Sequence, residues 1–435
     1  MSAESLSQAI RRLAAHQSLD AESVRRAFGV IMRGEGTPVQ VAALLMALRV
    51  KGETPAEVAG VVEALRETMI VLSADRPEEL VDTCGTGGGA LTTFNISTAA
   101  ALVAAGMGVR VAKHGNRSFT SRSGSADVLE ALGVLIDTTP PAMAATLADA
   151  GIVFMFAPLM HPALRHVGPV RRELAVPTVM NIVGPLANPA RAGRQVVGVA
   201  EHARLELLAD ALSALGTVRA MVVHGEPGLD EISPLGPTHV REVRAGRTAS
   251  WTIDPAAHGL SGISLDDLVG GDPAHNATLI EDVLSGGGSV GAQAAVLLNA
   301  AAALADAGQW VGALERLAQR IGGLVLLGLG DDGVDGDGGL AGLAVTNDEF
   351  ALTATNRCHR VDRLDASLHR LVHGLTAHDS GSLNFHTTLL NTNERTLAVD
   401  GLTKCVHHAT KNAFTNRNRQ NFAGGLNGLT FFDAI

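Results

Sequence analysis

Over the first seventy residues apolar positions recur every three to four residues, and the polar positions between them carry helix start signals. Thr37 with Pro38 and Gln40, and Thr54 with Pro55 and Glu57, each supply an N-cap, a proline at the first helical position and a partner three residues on that closes a capping box. Helices are predicted near 38–50 and 55–70, and Asp20 is placed to cap another over 21–33. From Leu80 the pattern changes to short apolar runs that lead into turns: LVDTCG, GVRVAKHG, IVFMFAP, VVGVA and AMVVHG. Strands of that length alternating with helical stretches predict a mostly parallel sheet flanked by helices on both faces. The expected fold class is therefore α/β: a small all-α domain over 1–75 followed by a larger α/β domain over 76–328. A helical stretch at 163–175 and the turn GPLANPA interrupt the series.

Composition narrows this picture. At 435 residues the chain exceeds what one hydrophobic core usually organises. Apolar residues make up 46% and aromatics only 3%, with no Tyr, so the core must be built from Ala, Leu and Val in closely packed layers. That scarcity disfavours stacking on nucleic-acid bases, and a net charge of −10 argues against a phosphate-backbone partner. Three cysteines, Cys84, Cys358 and Cys405, show neither zinc spacing nor a disulfide pattern. The N-terminal MSAESLSQAIRRL lacks an apolar leader, and no run approaches the ~18 apolar residues of a membrane span. A soluble, cytoplasmic protein is expected.

The candidate chemistry is concentrated between Asp82 and Gly133. Gly85, Gly87, Gly88 and Gly89 strip side chains from a turn, so that backbone N–H groups can converge on an anion. An Ala-rich helix from Asn95 to Gly106 starts directly after TTFN, aiming its positive end at the same place. Thr86, Thr92, Thr93, Asn95, Ser97 and Thr98 add neutral donors; Lys113, His114, Asn116, Arg117 and Arg122 add cations and further donors. The loop is neither a nucleotide P-loop nor a dinucleotide fingerprint, because GxxxxGK[ST] and a helix-opening GxGxxG are absent. Far along the chain Asp230 and Glu231 follow the run AMVVHG, at a strand's carboxyl end, where paired carboxylates suit a hard divalent cation.

At DTCGTGGG, TFNIST, KHGNR and SGSADVLEALG the chain resembles the anthranilate phosphoribosyltransferase family, and the resemblance continues through FMFAPLMHPALRHVGPVRREL, MNIVGPLANPA, VVHGEPGLDEIS and GGDPAHNA, covering roughly residues 5–308. It implies transfer of a phosphoribosyl group from phosphoribosyl pyrophosphate (PRPP) to the amine of anthranilate, dependent on Mg²⁺. It also implies that 163–190 returns to the small α domain, that substrates bind between the domains, and that the chain is a homodimer through the α domain. By family correspondence PRPP would be held by Gly85, Gly88, Gly89, Thr93, Asn95, Ile96, Ser97, Thr98, Lys113, His114, Gly115, Asn116, Arg117, Ser118, Ser121 and Ser125. Anthranilate would be met by Gly85, Asn116 and the guanidinium of Arg171, with His114 and His161 lining its cleft, and Mg²⁺ by Ser97, Asp230 and Glu231. Lys113, Asp230 and Glu231 are the expected catalytic groups.

Some positions carry a second reading. Asn95 and Ser125 stand where helix N-caps are expected, and Arg172 beside Arg171 reads as an ordinary surface charge. Gly89 replaces an Asp common in the family, and Pro177 an Arg. Two rivals remain: a pyrimidine nucleoside phosphorylase of the same architecture, disfavoured by KHGNR with GLDEIS, and a non-catalytic binding homologue, disfavoured by the negative charge and the intact acid pair. Beyond about Gly308 the resemblance ends. The Asp/Gly run DDGVDGDGG lacks EF-hand spacing, adjacent His407 and His408 lack metal-ligand spacing, and 329–435 is expected to be an appended, poorly ordered segment.

Overall fold

The computed structural model describes residues 3–89, 91–118 and 122–308. Ser121, the appended segment and the last stretch of the expected α/β domain lie outside the described residues.

Four helices open the chain: α1 (Ala3–Ala14), α2 (Ala21–Met32), α3 (Pro38–Lys51) and α4 (Pro55–Thr68). Their starts are the anticipated ones. Asp20 Oδ1 accepts from Ser23 N at 2.7 Å, and both capping boxes close, Thr37 with Gln40 and Thr54 with Glu57. Glu57 does more than cap. Its fully buried carboxylate also accepts from Lys51 Nζ at 2.8 Å and from Leu19 N at 2.9 Å, tying the start of α4 to the end of α3 and the approach to α2.

Among the described residues the sheet has seven strands in the order β3-β2-β1-β4-β5-β6-β7. β1 (Val81–Gly85), β2 (Val111–Gly115), β3 (Ile152–Phe156), β4 (Arg194–Gly198) and β5 (Arg219–Gly225) run parallel, each at one of the anticipated apolar runs. β6 (Thr238–Arg244) and β7 (Arg247–Ile253) add an antiparallel hairpin that the pattern did not predict. Its strands are polar and largely exposed on one side, and its two-residue turn is Ala245-Gly246, both at positive φ (50° and 76°), as the twist of a tight hairpin requires.

One face of the sheet is covered by α5 (Ile96–Gly106) and α12 (Val290–Asp306), whose buried alanines let the two helices approach closely, with α6 (Ser125–Ala131) and α11 (Pro273–Leu284) beside them. α7 (Pro140–Ala150) and the short α8 (Ala157–Met160) cover β2 and β3 on the other face. There α10 (Arg204–Ala214) joins Val197, Val199, Ala220 and Val222 to Leu45, Val61 and Leu65 of the opening helices in one continuous core. α9 (Gly168–Leu174) lies within the stretch that returns to those helices, where Val167, Val170, Val179 and Met180 enter the same core. The chain leaves β1 toward β2 on one side, whereas β4 flanks β1 on the other. The carboxyl ends of β1 and β4 thus bracket the point where strand order reverses, the usual crevice for a ligand in an open α/β sheet.

Candidate active site

Gly85 and Gly198 are register partners at the ends of β1 and β4. Both are glycine because Asp230 is pressed against them: a Cβ on Gly85 would stand 2.3 Å from Asp230 Oδ2, and one on Gly198 would stand 1.7 Å from the Asp230 carbonyl oxygen. The Asp230 carboxylate accepts from Gly87 N at 2.9 Å, within a loop where Gly87 and Gly88 take left-handed φ values of 65° and 80°. Glu231 Oε1 accepts from Ser97 N at 3.1 Å, so the first turn of α5 receives a carboxylate from the chain itself. Residues 85–97 and 230–231, distant in sequence, form one site at the switch point.

Both acids are half-buried. Burial pushes the Asp230 carboxyl above the ordinary range, and Glu231 is pushed up to about 8 by burial and then by the neighbouring Asp230 charge. The opposing charge is Lys113, itself 3% exposed, whose Nζ donates to Thr83 O at 2.6 Å and lies 3.4 Å from Ser97 Oγ. Burial lowers the Lys113 pKa while Asp82 and Glu231 act to raise it. The ammonium therefore sits beneath the acid pair rather than reaching out from the loop. Asp82 and Asn188 were not anticipated. Asp82 is fully buried and pushed up to about 6 by burial; its carboxylate accepts from His114 N at 3.1 Å and Asn188 Nδ2 at 2.8 Å, and the same amide reaches Ala112 O at 2.8 Å. A lone Asp inside the apolar strand LVDTCG was the available signal.

The remaining expected ligand residues divide by where their side chains go. Asn95 holds the N-cap position of α5, but its side chain makes no capping bond. Its amide donates to Ser123 O at 3.2 Å and its carbonyl accepts from Ser123 Oγ at 3.2 Å and Asn276 Nδ2 at 2.9 Å, so tertiary partners outcompete the local cap. Ser125 is not a cap, because the cap position is Gly124; Ser125 is the first residue of α6, its hydroxyl 3.4 Å from Asn116 O. Ile96 and Thr98 are buried, and their N–H groups donate to Phe94 O at 2.8 Å and Asn95 O at 3.1 Å. Thr93 pairs with Val269 in an isolated bridge. Gly115 must lack a Cβ, which would meet Ser125 Oγ at 2.1 Å, and Gly89 is crowded by Gly228 O at 3.2 Å and the Ala200 methyl at 3.3 Å. Asn116 Oδ1 accepts from Arg117 N at 2.8 Å. The Arg117 guanidinium turns to α6, pairing with Asp127 at 2.9 Å and with Glu130, and lies over the Phe156 ring. Ser118 N donates to Asp127 Oδ2 at 3.0 Å.

On the helical side, Arg171 of α9 is partly buried and Arg172 exposed. Burial lowers the Arg171 pKa with no carboxylate acting to raise it, so its fork is available to an anionic ligand. His114 and His161 face each other with ring centroids 5.0 Å apart. Burial holds both neutral, His114 down to about 3 and His161 to about 4.

Among the described residues no three His, Cys, Asp or Glu side chains already stand in ligating geometry for a metal ion. Two half-buried carboxylates beside a serine nonetheless fit Mg²⁺, which keeps waters and shares its coordination with substrate phosphates instead of demanding an all-protein cage.

Two family models match the chain: the glycosyl transferase family helical bundle domain over residues 7–69 and the glycosyl transferase family a/b domain over residues 77–321. The chain is 49% identical over 304 residues to the anthranilate phosphoribosyltransferase of Rubrobacter xylanophilus, an alignment spanning 70% of this chain and 88% of the relative. The crystal structure of anthranilate phosphoribosyltransferase from Thermus thermophilus superposes with a TM-score of 0.65 at 42% identity, covering 69% of this chain and 89% of that one. The Saccharomyces cerevisiae enzyme in complex with PRPP and Mg superposes with a TM-score of 0.64 at 27% identity, covering 71% and 90%.

Proposed function

This chain belongs to the anthranilate phosphoribosyltransferases of the glycosyl transferase family, and from that premise we propose how its residues divide the work. It transfers the phosphoribosyl group of PRPP to the amine of anthranilate, giving N-(5-phosphoribosyl)anthranilate and pyrophosphate, in tryptophan biosynthesis. The observation that carries the assignment of roles is the packing of Asp230 onto Gly85 and Gly87, with Glu231 on the first turn of α5, at the sheet's switch point.

An aromatic amine is already nucleophilic, so the reaction needs no covalent intermediate with the protein. The amine attacks C1 of the ribose as pyrophosphate departs, and what the chain must supply is orientation and charge neutralisation. Asp230, Glu231 and Ser97 are the ligands for Mg²⁺, which when bound supplies positive charge to the departing pyrophosphate. Lys113 adds fixed positive charge from beneath. The amides of Gly88 and Gly89, with Thr93, Asn95, Ile96, Ser97, Thr98 and the 113–118 segment, hold PRPP. Arg171 holds the anthranilate carboxylate, with Gly85 and Asn116 at the amine end. His114 and His161, kept neutral, form a wall that does not compete with Arg171 for the anion.

The helical unit over 1–75, with 163–190 returned to it, then forms one wall of the cleft and the α/β unit, described over 76–308, the other. A homodimer through the helical unit is supported by Val39 and Val50 of α3, which stand 78% and 69% exposed. The cytoplasm is the compartment that suits this biosynthetic role. The direct test is loss of anthranilate fluorescence on adding PRPP, with and without Mg²⁺. Mg²⁺-dependent loss with equimolar pyrophosphate release is expected; pyrophosphate release without consumption of anthranilate would contradict the proposal.

A further inference from the structure

Apart from the active site, three histidines gather at the far end of β5. His224 of β5 and His239 of β6 are register partners in the antiparallel pair, so their side chains share one face of the sheet. Glu226, two residues beyond His224, follows on that face. Its Oε1 lies 4.0 Å from His224 Nε2 and 3.8 Å from His239 Nε2. His202, in the turn before α10, closes the group: its ring centroid is 5.5 Å from that of His224 and 4.8 Å from that of His239, while those two are 6.5 Å apart. His224 is buried, and its Nδ1 lies 2.9 Å from Val199 O. A backbone carbonyl only accepts, so Nδ1 carries the proton and Nε2 presents its lone pair toward the others.

We infer that His202, His224 and His239, with Glu226, form a second divalent-metal site, for a borderline transition ion such as Zn²⁺, Co²⁺ or Ni²⁺ rather than Mg²⁺. Imidazole nitrogens with one carboxylate are the donor set those ions select, whereas Mg²⁺ takes oxygen. Three imidazoles bound to one ion at about 2.1 Å place their ring centroids roughly 5 Å apart, and the pairs here, at 5.5, 4.8 and 6.5 Å, bracket that spacing. The side chains do not stand in ligating geometry as they are placed, and rotation of the exposed His202, the half-exposed His239 and Glu226 would bring them onto the Nε2 of His224. The site joins the lead into α10 to β5 and β6. It lies at the root of the loop that closes through the Gly225–Leu229 bridge and carries Asp230 and Glu231. A bound ion would brace that loop without touching substrate.

The test is Co²⁺ titration of the full-length, chelator-stripped protein in the presence of saturating Mg²⁺, read by visible absorption and by thermal midpoint. One Co²⁺ per chain with nitrogen-ligated d–d bands and a raised midpoint is expected. His202→Ala combined with His239→Ala should abolish those bands and the midpoint shift, and each single change should weaken Co²⁺ binding at least about tenfold. His202 is exposed and His239 half-exposed, so the variants should fold and turn over with Mg²⁺ as the parent does. Bands and midpoint shift that persist in the double variant, or Co²⁺ that Mg²⁺ displaces from the parent, would place the ion elsewhere and overturn the inference.

Discussion

Gly85→Ala isolates the placement of one carboxylate. The added Cβ would stand 2.3 Å from Asp230 Oδ2 and 3.0 Å from its Cγ, so the contact falls on a side chain rather than on a backbone. Gly85 lies in β1 without a left-handed φ, so backbone strain is not part of the penalty. Restoring a normal contact requires the carboxylate to retreat by about 0.7 Å or more, which breaks its bond to Gly87 N. A misplacement of about 1 Å at a reacting centre costs on the order of 100-fold in rate, and overpacking costs roughly 1–3 kcal/mol of stability. Turnover should therefore fall about 100-fold with a raised Mg²⁺ requirement, while urea denaturation shows a folded protein. Gly198→Ala offers the contrast: its Cβ would meet the Asp230 carbonyl oxygen at 1.7 Å, so the loop backbone itself must move and stability should fall further than in Gly85→Ala. A Gly85→Ala enzyme with turnover within twofold of the parent and an unchanged Mg²⁺ titration would refute the reasoning.

Arg171→Ala should raise the KM for anthranilate by roughly 10- to 100-fold, the loss of a charge-assisted contact of about 1.5–3 kcal/mol, and affect PRPP far less; equal effects on both substrates, or a larger effect from Arg172→Ala, would reassign the carboxylate site. Glu57→Ala leaves Lys51 buried without its partner and should cost about 3–5 kcal/mol by urea denaturation, whereas a cost below about 1 kcal/mol would mean that the carboxylate is not holding the helices together. His161, depressed from 6.5 to about 4 in the folded state, binds its proton in the unfolded chain first, so its contribution is present above pH 6.5 and lost as pH falls toward 4. Relative to His161→Phe the parent should therefore lose about 3 kcal/mol across that window, and parallel stability curves would contradict this. Truncation after residue 330 should retain activity, because every motif that carries the resemblance lies before residue 308; a folded, soluble truncate without activity would show that the appended segment takes part.

Local signals were the most legible in the sequence. The capping boxes at Thr37 and Thr54 and the cap at Asp20 formed as written, because each is satisfied within four residues. The five parallel strands were legible because burial on both faces leaves unbroken apolar runs. The β6–β7 hairpin escaped because its exposed face is polar and Ala245-Gly246 lacks the Asn-Gly or Asp-Gly signature. The polar partners that the sequence did not reveal lie outside the local turn: Asn95 bonds to Asn276 and Asp82 to Asn188, and Arg117 pairs with the acids of α6. The glycines at 85 and 198 were readable as close-approach positions only once Asp230 was seen to fill the space.

The most direct measurement is Mg²⁺-dependent turnover of the Asp230→Asn, Glu231→Gln double variant. These replacements keep size and hydrogen-bonding capacity but remove the anionic oxygens that a hard cation requires. The account predicts a folded protein that still binds anthranilate, turns over far more slowly and needs much more Mg²⁺. A double variant whose turnover and Mg²⁺ titration match those of the parent would contradict the claim that this acid pair holds the metal on pyrophosphate.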